Sequence, residues 1–374
     1  MILSYYWTRP LYCLAWHSVK LLRKEKKCIL YCEDAFDAIL FDNVQKHLNH
    51  VPLLAKNRRV QNKLKAMGYR SRRSPSFPDV VIMFRNMAWK FPCKKIIKIG
   101  FEHGAYNFKK FSAPSYYNLF TVFFMTSSAD VARAEKLGIT TAKAIGFPKI
   151  DGIFDGSVSS QELDRLSLKL GLDPQKKTLL FSSTWDASGM SAIHLWYKRL
   201  DTLKESYNIL ATTHCWTSDK YRRALQNDKN VVFITDFEIS RYIMIADVCV
   251  GDTNSLLAEF CLLKKPIITF RVPPTNRTLP DVIELIEKIS YRISTFEELV
   301  PAVEKVLDPS SGFAAEQRKA VKLFFDEPDG KAGFRAAEEI CKLAPLHAIN
   351  LLQLRPYNLM EKEREGCSEG YISL

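Results

Sequence analysis

Two short motifs carry side chains suited to transfer chemistry. Phe101-Glu102-His103-Gly104 closes an apolar, strand-like run from Ile96 to Gly100. Asp252-Thr253-Asn254-Ser255 follows a second such run, Val248 to Gly251, and opens an apolar helix from Leu256 to Leu263. The first motif puts a titratable imidazole at a strand end, the edge where open α/β sheets bind ligands, and such a group is a natural base for an acceptor hydroxyl. Glu102 is the carboxylate in reach to orient His103; the plainer reading is a histidine bonded to its own loop. The second motif presents a helix N-terminus, with unpaired N–H groups and short polar side chains, as a phosphate cradle. Asp252 is expected to N-cap that helix while Thr253, Asn254 and Ser255 add donors; an ordinary capping turn is the alternative. Glu259, one turn along, is placed to accept hydrogen bonds from a ribose diol, or else is a solvated helix carboxylate.

Further polar groups gather at strand ends. His214 closes Ile209–Thr213 and can donate an N–H to a phosphate oxygen, and Ser182, Ser183 and Thr184 close the preceding strand. Lys109, six residues after His103, can neutralise a phosphate. Lys149, in the Gly146-Phe147-Pro148-Lys149 connection, either faces a cleft or belongs to a rigid hinge. Cys215 reads as a spectator thiol. Nine cysteines without CxxC spacing suit a reducing compartment, and His and Cys show no ligand spacing for a metal.

These groups need elements to position them. From Cys28 onward, short apolar runs alternate with amphipathic stretches, the rhythm of a parallel sheet with crossover helices. Strands are expected at Cys28–Cys32, Val51–Ala55, Val80–Phe84, Ile96–Gly100, Val122–Met125 and Ala142–Gly146. After a small-residue linker at Gly156–Ser160 they resume at Thr178–Ser182, Ile209–Thr213, Val231–Ile234, Val248–Gly251 and Pro266–Phe270. One helix is expected over Ser191–Lys204, and from Arg271 the chain is expected to be helical. The economical architecture is α/β: two doubly wound domains facing a cleft, residues 1–155 and 156–345, with a polar tail at 346–374.

The net charge of +13 lies on one side of the chain. Residues 1–110 hold 22 Lys and Arg against 7 Asp and Glu, eight of the basic residues falling in Lys56–Arg73 with no acidic one. A basic domain suits a polyanionic partner, whether anionic lipid, a phosphate-rich polymer or nucleic acid; the plainer reading is a solvated basic face that only aids solubility. No zinc module, aromatic RNP pattern or basic zipper supports nucleic acid. The apolar Tyr5–Leu22 segment runs into the cluster Arg23–Lys27, which suits contact with anionic headgroups. No uncharged apolar run is long enough to span a bilayer, and residues 1–22 are not read as a cleaved signal.

The ordered landmarks resemble the CDP-glycerol glycerophosphotransferases of the teichoic-acid polymerase and primase type. They are His103-Gly104 with Lys109; Gly146-Phe147-Pro148 and Asp151; Ser182-Ser183-Thr184-Trp185; His214; and the stretch from Ile245-Ala246-Asp247 through Asp252 and Ser255 to Lys265-Pro266-Ile267. The resemblance covers roughly residues 28–275. It implies a GT-B fold and transfer of a polyol phosphate from a CDP-alcohol to a glycan or polyol-phosphate hydroxyl, releasing CMP. His103 would be the base, while His214 and Thr253 to Ser255 would hold the diphosphate. It also implies no bound metal or other cofactor, and a cytoplasmic enzyme held peripherally on the inner face of the membrane. Thr253-Asn254, Lys149, Asp186 and Cys215 depart from the usual residues around the donor, so another CDP-polyol fits as well as CDP-glycerol. Rival readings are a GT-B glycosyltransferase or epimerase using a nucleotide sugar, and a degenerate homologue that only binds a membrane surface.

Overall fold

The computed structural model describes residues 2–344 apart from Lys24, Ser74, Asn107, Phe237, Glu238 and 309–311; the expected tail lies outside the described residues. Seven strands form the first sheet: β1 (Cys28–Cys32), β2 (Leu53–Ala55), β3 (Ser71–Arg73), β4 (Val80–Met83), β5 (Ile97–Phe101), β6 (Val122–Met125) and β7 (Ala142–Ala144). Their spatial order is β3-β2-β1-β4-β5-β6-β7, every pair parallel. Six more, β8 (Lys177–Ser183), β9 (Tyr207–Thr213), β10 (Val232–Phe233), β11 (Val248–Gly251), β12 (Ile267–Phe270) and β13 (Tyr291–Ile293), form a second parallel sheet ordered β10-β9-β8-β11-β12-β13. Strands covered on both faces must be apolar throughout, and β1, β4, β6, β11 and β12 are buried at every residue.

In each sheet the order reverses once, between β1 and β4 and between β8 and β11. Such switch points open a crevice beyond the carboxyl ends of the strands, where doubly wound folds bind ligands. The serine and threonine cluster after β8 and the Asp252–Ser255 turn after β11 flank the second of these crevices.

Several expectations change. Edge strands β3 and β13 were not anticipated, because three-residue edges such as Ser-Arg-Arg carry no apolar run. A helix at Ser160–Lys169, N-capped by Ser159, follows the expected linker. Instead of one helix over Ser191–Lys204, the chain forms a single turn at Ile193–Trp196 and a 3-10 turn at Leu200–Leu203. There the Thr202 hydroxyl donates to the Arg199 carbonyl at 2.7 Å, a local bond that competes with a continuous helix.

The end of the described chain ties the halves together. Helix Phe313–Phe325 packs on helices Leu256–Leu262 and Pro280–Ile289 and also on helix Ser128–Lys136 of the first half. Its Phe324 meets Tyr106 at 5.2 Å between rings, and both belong to an apolar cluster reaching into each half. Helix Ala332–Leu343 then crosses back onto helix Phe36–Gln45, rather than staying in the second half. Gly333 permits this approach, since a Cβ there would stand 2.1 Å from the Asn43 carbonyl oxygen. Asp151 caps the helix, accepting from the N–H groups of Ala332 (3.1 Å) and Gly333 (2.7 Å).

Candidate functional site

His103 and the Asp252–Ser255 turn, far apart in sequence, meet across the cleft. A Cβ added at Gly104 would lie 3.1 Å from Ser255 Oγ, so the loop after β5 touches the start of helix Leu256–Leu262 and only glycine leaves that gap open. His103 is open to cleft solvent but surrounded by protein at its floor. Desolvation, then Arg85, His214 and Lys109, push its pKa down to about 3, a shift that water in the cleft moderates. Glu102, beside it in the chain, is buried, and its charge acts on Tyr117.

His214 is half-buried on the facing wall. Its Nδ1 accepts the Trp216 backbone N–H at 3.1 Å, so the neutral ring carries its proton on Nε2 as a donor. Desolvation, Lys109 and Arg85 lower its pKa to about 4. Trp185 lies beside His214, tilted by 41° with ring centroids 5.0 Å apart, and the Lys109 ammonium is 4.4 Å and the Arg277 guanidinium 5.5 Å from the Trp185 ring. Lys109 is itself held down to about 8 by desolvation and Arg277.

Beneath these groups lies a buried polar scaffold. Asp252 is wholly buried; one carboxylate oxygen accepts from the Ser183 hydroxyl (2.6 Å) and the Ala192 N–H (3.0 Å). The other accepts from the N–H groups of Thr184 (2.9 Å) and Thr253 (2.6 Å). It therefore clamps β8 to β11 rather than capping the helix, whose N-cap position is Ser255. Thr184 Oγ1 donates to the Thr253 carbonyl and Thr253 Oγ1 to that of Met190, so both hydroxyls turn inward. Ser182 is buried at the end of the same strand.

What remains to face an anion is narrower than the sequence implied. The backbone N–H groups of Asn254 and Ser255 have no protein acceptor among the described residues, and Asn254 Nδ2 is buried without a partner. Asn254 Oδ1 accepts from the Leu256 N–H at 3.0 Å, which fixes the amide so that Nδ2 is its unused end. Unsatisfied buried donors are rare and call for an acceptor. Glu259 is not solvated: both oxygens meet Lys149 Nζ, at 2.7 and 2.9 Å, with side chains 4% and 7% exposed. This pair joins the interdomain connection to the cradle helix.

Arg85, two residues beyond β4, and Arg277, beyond β12, were missed. A basic residue at a strand end carries no periodic signal, and the sequence does not reveal which strands border the switch point.

Comparison with known proteins fits this geometry. Residues 102–342 match the family model described as CDP-glycerol:poly(glycerophosphate) glycerophosphotransferase. The teichoic acid poly(ribitol-phosphate) polymerase of Bacillus spizizenii is 27% identical over 231 residues, 55% of this chain and 35% of that protein. The ribitol-phosphate polymerase TarK of Staphylococcus aureus is 22% identical over 242 residues, 59% of this chain and 45% of that protein. The chain thus spans less than half the length of these curated relatives. The solved wall teichoic acid polymerase TagF superposes with a TM-score of 0.63 at 14% identity, covering 84% of this chain and 88% of that one. The UDP-GlcNAc 2-epimerase of Neisseria meningitidis bound to UDP-GlcNAc gives 0.55 at 13% identity, over 84% and 99%. The two sheets and their cleft are a GT-B fold, and the chain belongs to the CDP-glycerol:poly(glycerophosphate) glycerophosphotransferase family.

Proposed function

We propose that the chain transfers a polyol phosphate, glycerophosphate in the first instance, from a CDP-alcohol to the hydroxyl of a polyol-phosphate or glycan acceptor. The contact between the loop that carries His103 and the Asn254–Ser255 turn carries this reading, because it brings a base toward the place where a diphosphate would bind. The acceptor oxygen attacks the phosphorus bearing the polyol and its proton passes to His103. A new P–O bond forms as the P–O bond to CMP breaks, and CMP takes the electron pair. The Asn254 and Ser255 N–H groups, His214 Nε2–H and Lys109 stabilise the charge on the leaving phosphate. Ser182, Ser183, Thr184, Asp252 and Thr253 hold the cradle's shape, and the buried Lys149–Glu259 pair fixes the cradle helix against the interdomain connection.

His103→Ala should lower turnover about 10²–10⁴-fold, the usual contribution of a general base, while calorimetry shows CDP-glycerol binding retained. Near-normal turnover would remove that role. Titrating wild type with CMP and UMP separates the nucleotide-sugar alternative, which predicts preference for uridine.

The same reading places the enzyme on the cytoplasmic, anionic face of a membrane. Helix Ile2–Leu22 docks through Trp16, whose indole N–H donates to the Pro78 carbonyl at 2.6 Å, and through the Tyr12 hydroxyl on the Ser76 carbonyl at 2.8 Å. Its other face exposes Trp7 (81%), Leu11 (76%), Leu14 (67%) and Leu21 (88%), an apolar stripe at helical spacing. The basic Arg72 lies near Lys27 just past this helix, so apolar and cationic surfaces adjoin, as an in-plane contact with anionic lipid needs. Among the described residues no helix is long and apolar enough to cross a membrane. Trp7→Ser/Leu11→Ser/Leu14→Ser should abolish sedimentation with phosphatidylglycerol vesicles; unchanged sedimentation refutes the contact.

A further inference from the structure

The second switch point holds the cradle; the first, between β1 and β4, holds an arginine without an assigned task. Arg85 lies two residues past β4. The parallel register pairs Met83 with Gly100, so Arg85 stands level with Glu102, next to His103. Its side chain is 14% exposed. Both histidines and Cys215 feel its charge, so it lies within electrostatic reach of each.

Its compensation is weak. Among the described residues its carboxylate partner is Asp37, 3.4 Å from Nε. The other oxygen of Asp37 already accepts the Glu33 and Asp34 N–H groups, at 2.8 and 3.0 Å. Burial raises the Asp37 pKa to about 6 despite Arg85, so the carboxylate opposite the guanidinium is a poorer counter-charge than a solvated one. Nearby Glu33 is occupied by Lys56 and Lys90, and Asp34 lies 3.9 Å from Lys63. Arg85 is thus tethered at Nε, and no hydrogen bond to its terminal nitrogens is found among the described residues. A fixed guanidinium with its outer edge unused is the geometry that binds a phosphate through two parallel hydrogen bonds.

We propose that Arg85 anchors a phosphate monoester or diester of the acceptor, beside the hydroxyl that His103 activates. This rests on the transfer reading and deepens it by naming the residue that would hold the acceptor's phosphate. The donor diphosphate has its own cations in Lys109 and Arg277, on the Trp185 side. When the acceptor phosphate neutralises Arg85, one of the charges that add to burial in depressing His103 is offset, and the imidazole gains basicity once its substrate is in place.

The test is calorimetric titration with glycerol 3-phosphate, CMP saturating so that the cradle is filled. Wild type should bind it and Arg85→Gln should bind about 10- to 100-fold more weakly, the worth of a charge-assisted contact. Arg85→Lys should fall between, and CMP affinity should stay within about twofold in both variants. Circular dichroism confirms that each variant is folded; Arg85→Lys keeps the charge beside Asp37 should Arg85→Gln fail. No binding by wild type, equal affinity in the variants, or a parallel loss of CMP affinity overturns the anchor. Arg85-dependent binding without turnover of any CDP-alcohol would instead overturn the transfer reading and leave the anchor standing. In an active enzyme, Arg85→Gln should also raise the acid limb of kcat/KM, since Arg85 lowers the pKa of His103.

Discussion

Breaking the Lys149–Glu259 pair gives the sharpest test of how connection and cradle cooperate. With both side chains almost fully buried and both carboxylate oxygens on the ammonium, Lys149→Met leaves an uncompensated carboxylate in the interior. Removing one member of a buried pair costs about 3–5 kcal/mol, whereas replacing both by apolar groups of similar volume is often close to neutral. Lys149→Met should therefore lower stability by about 3–5 kcal/mol, and Lys149→Met/Glu259→Met should recover most of it. Urea unfolding followed by tryptophan fluorescence reads both as midpoint shifts at a shared slope. CMP titration of the double variant then isolates the ligand: lost affinity in a stable protein assigns Glu259 to the nucleoside, and retained affinity assigns it to structure. A cost below about 1 kcal/mol for Lys149→Met, the range of solvated surface pairs, or a double variant as unstable as the single one, would refute the buried-pair reasoning.

Asp252→Asn removes the charge from four hydrogen bonds and sets an amide N–H₂ against donors, so a loss of about 2–4 kcal/mol is expected, from a buried network left with unmatched donors; an unfolding midpoint equal to wild type would show that the clamp is dispensable. Both imidazoles are depressed in the free cleft, to about 3 and about 4, and are neutral above those values. Substrate phosphates offset Lys109 and Arg85 and raise the base's pKa, so as pH falls kcat should decline at a higher pH than kcat/KM. Coincident acid limbs in the two pH profiles would argue against that linkage.

The repeating strand–helix rhythm is legible in residue order alone, because a sheet covered on both faces demands unbroken apolar runs such as β1 and β11. Residue order also determined which strand ends carry polar chemistry, since His103, Ser183, His214 and Asp252 interrupt those runs abruptly. Tertiary structure decided which of those groups face the cleft. Asp252, Ser183, Thr184 and Thr253 differ little in type from Asn254 and Ser255, yet the side chains of the first four are bonded within the protein while two N–H groups and one buried amide nitrogen of the others are left without acceptors among the described residues. Hydrogen-bond satisfaction is a property of packing, not of residue type. The same holds for Arg85: its place at a switch point follows from strand order, which rests on long-range pairing that local pattern does not encode.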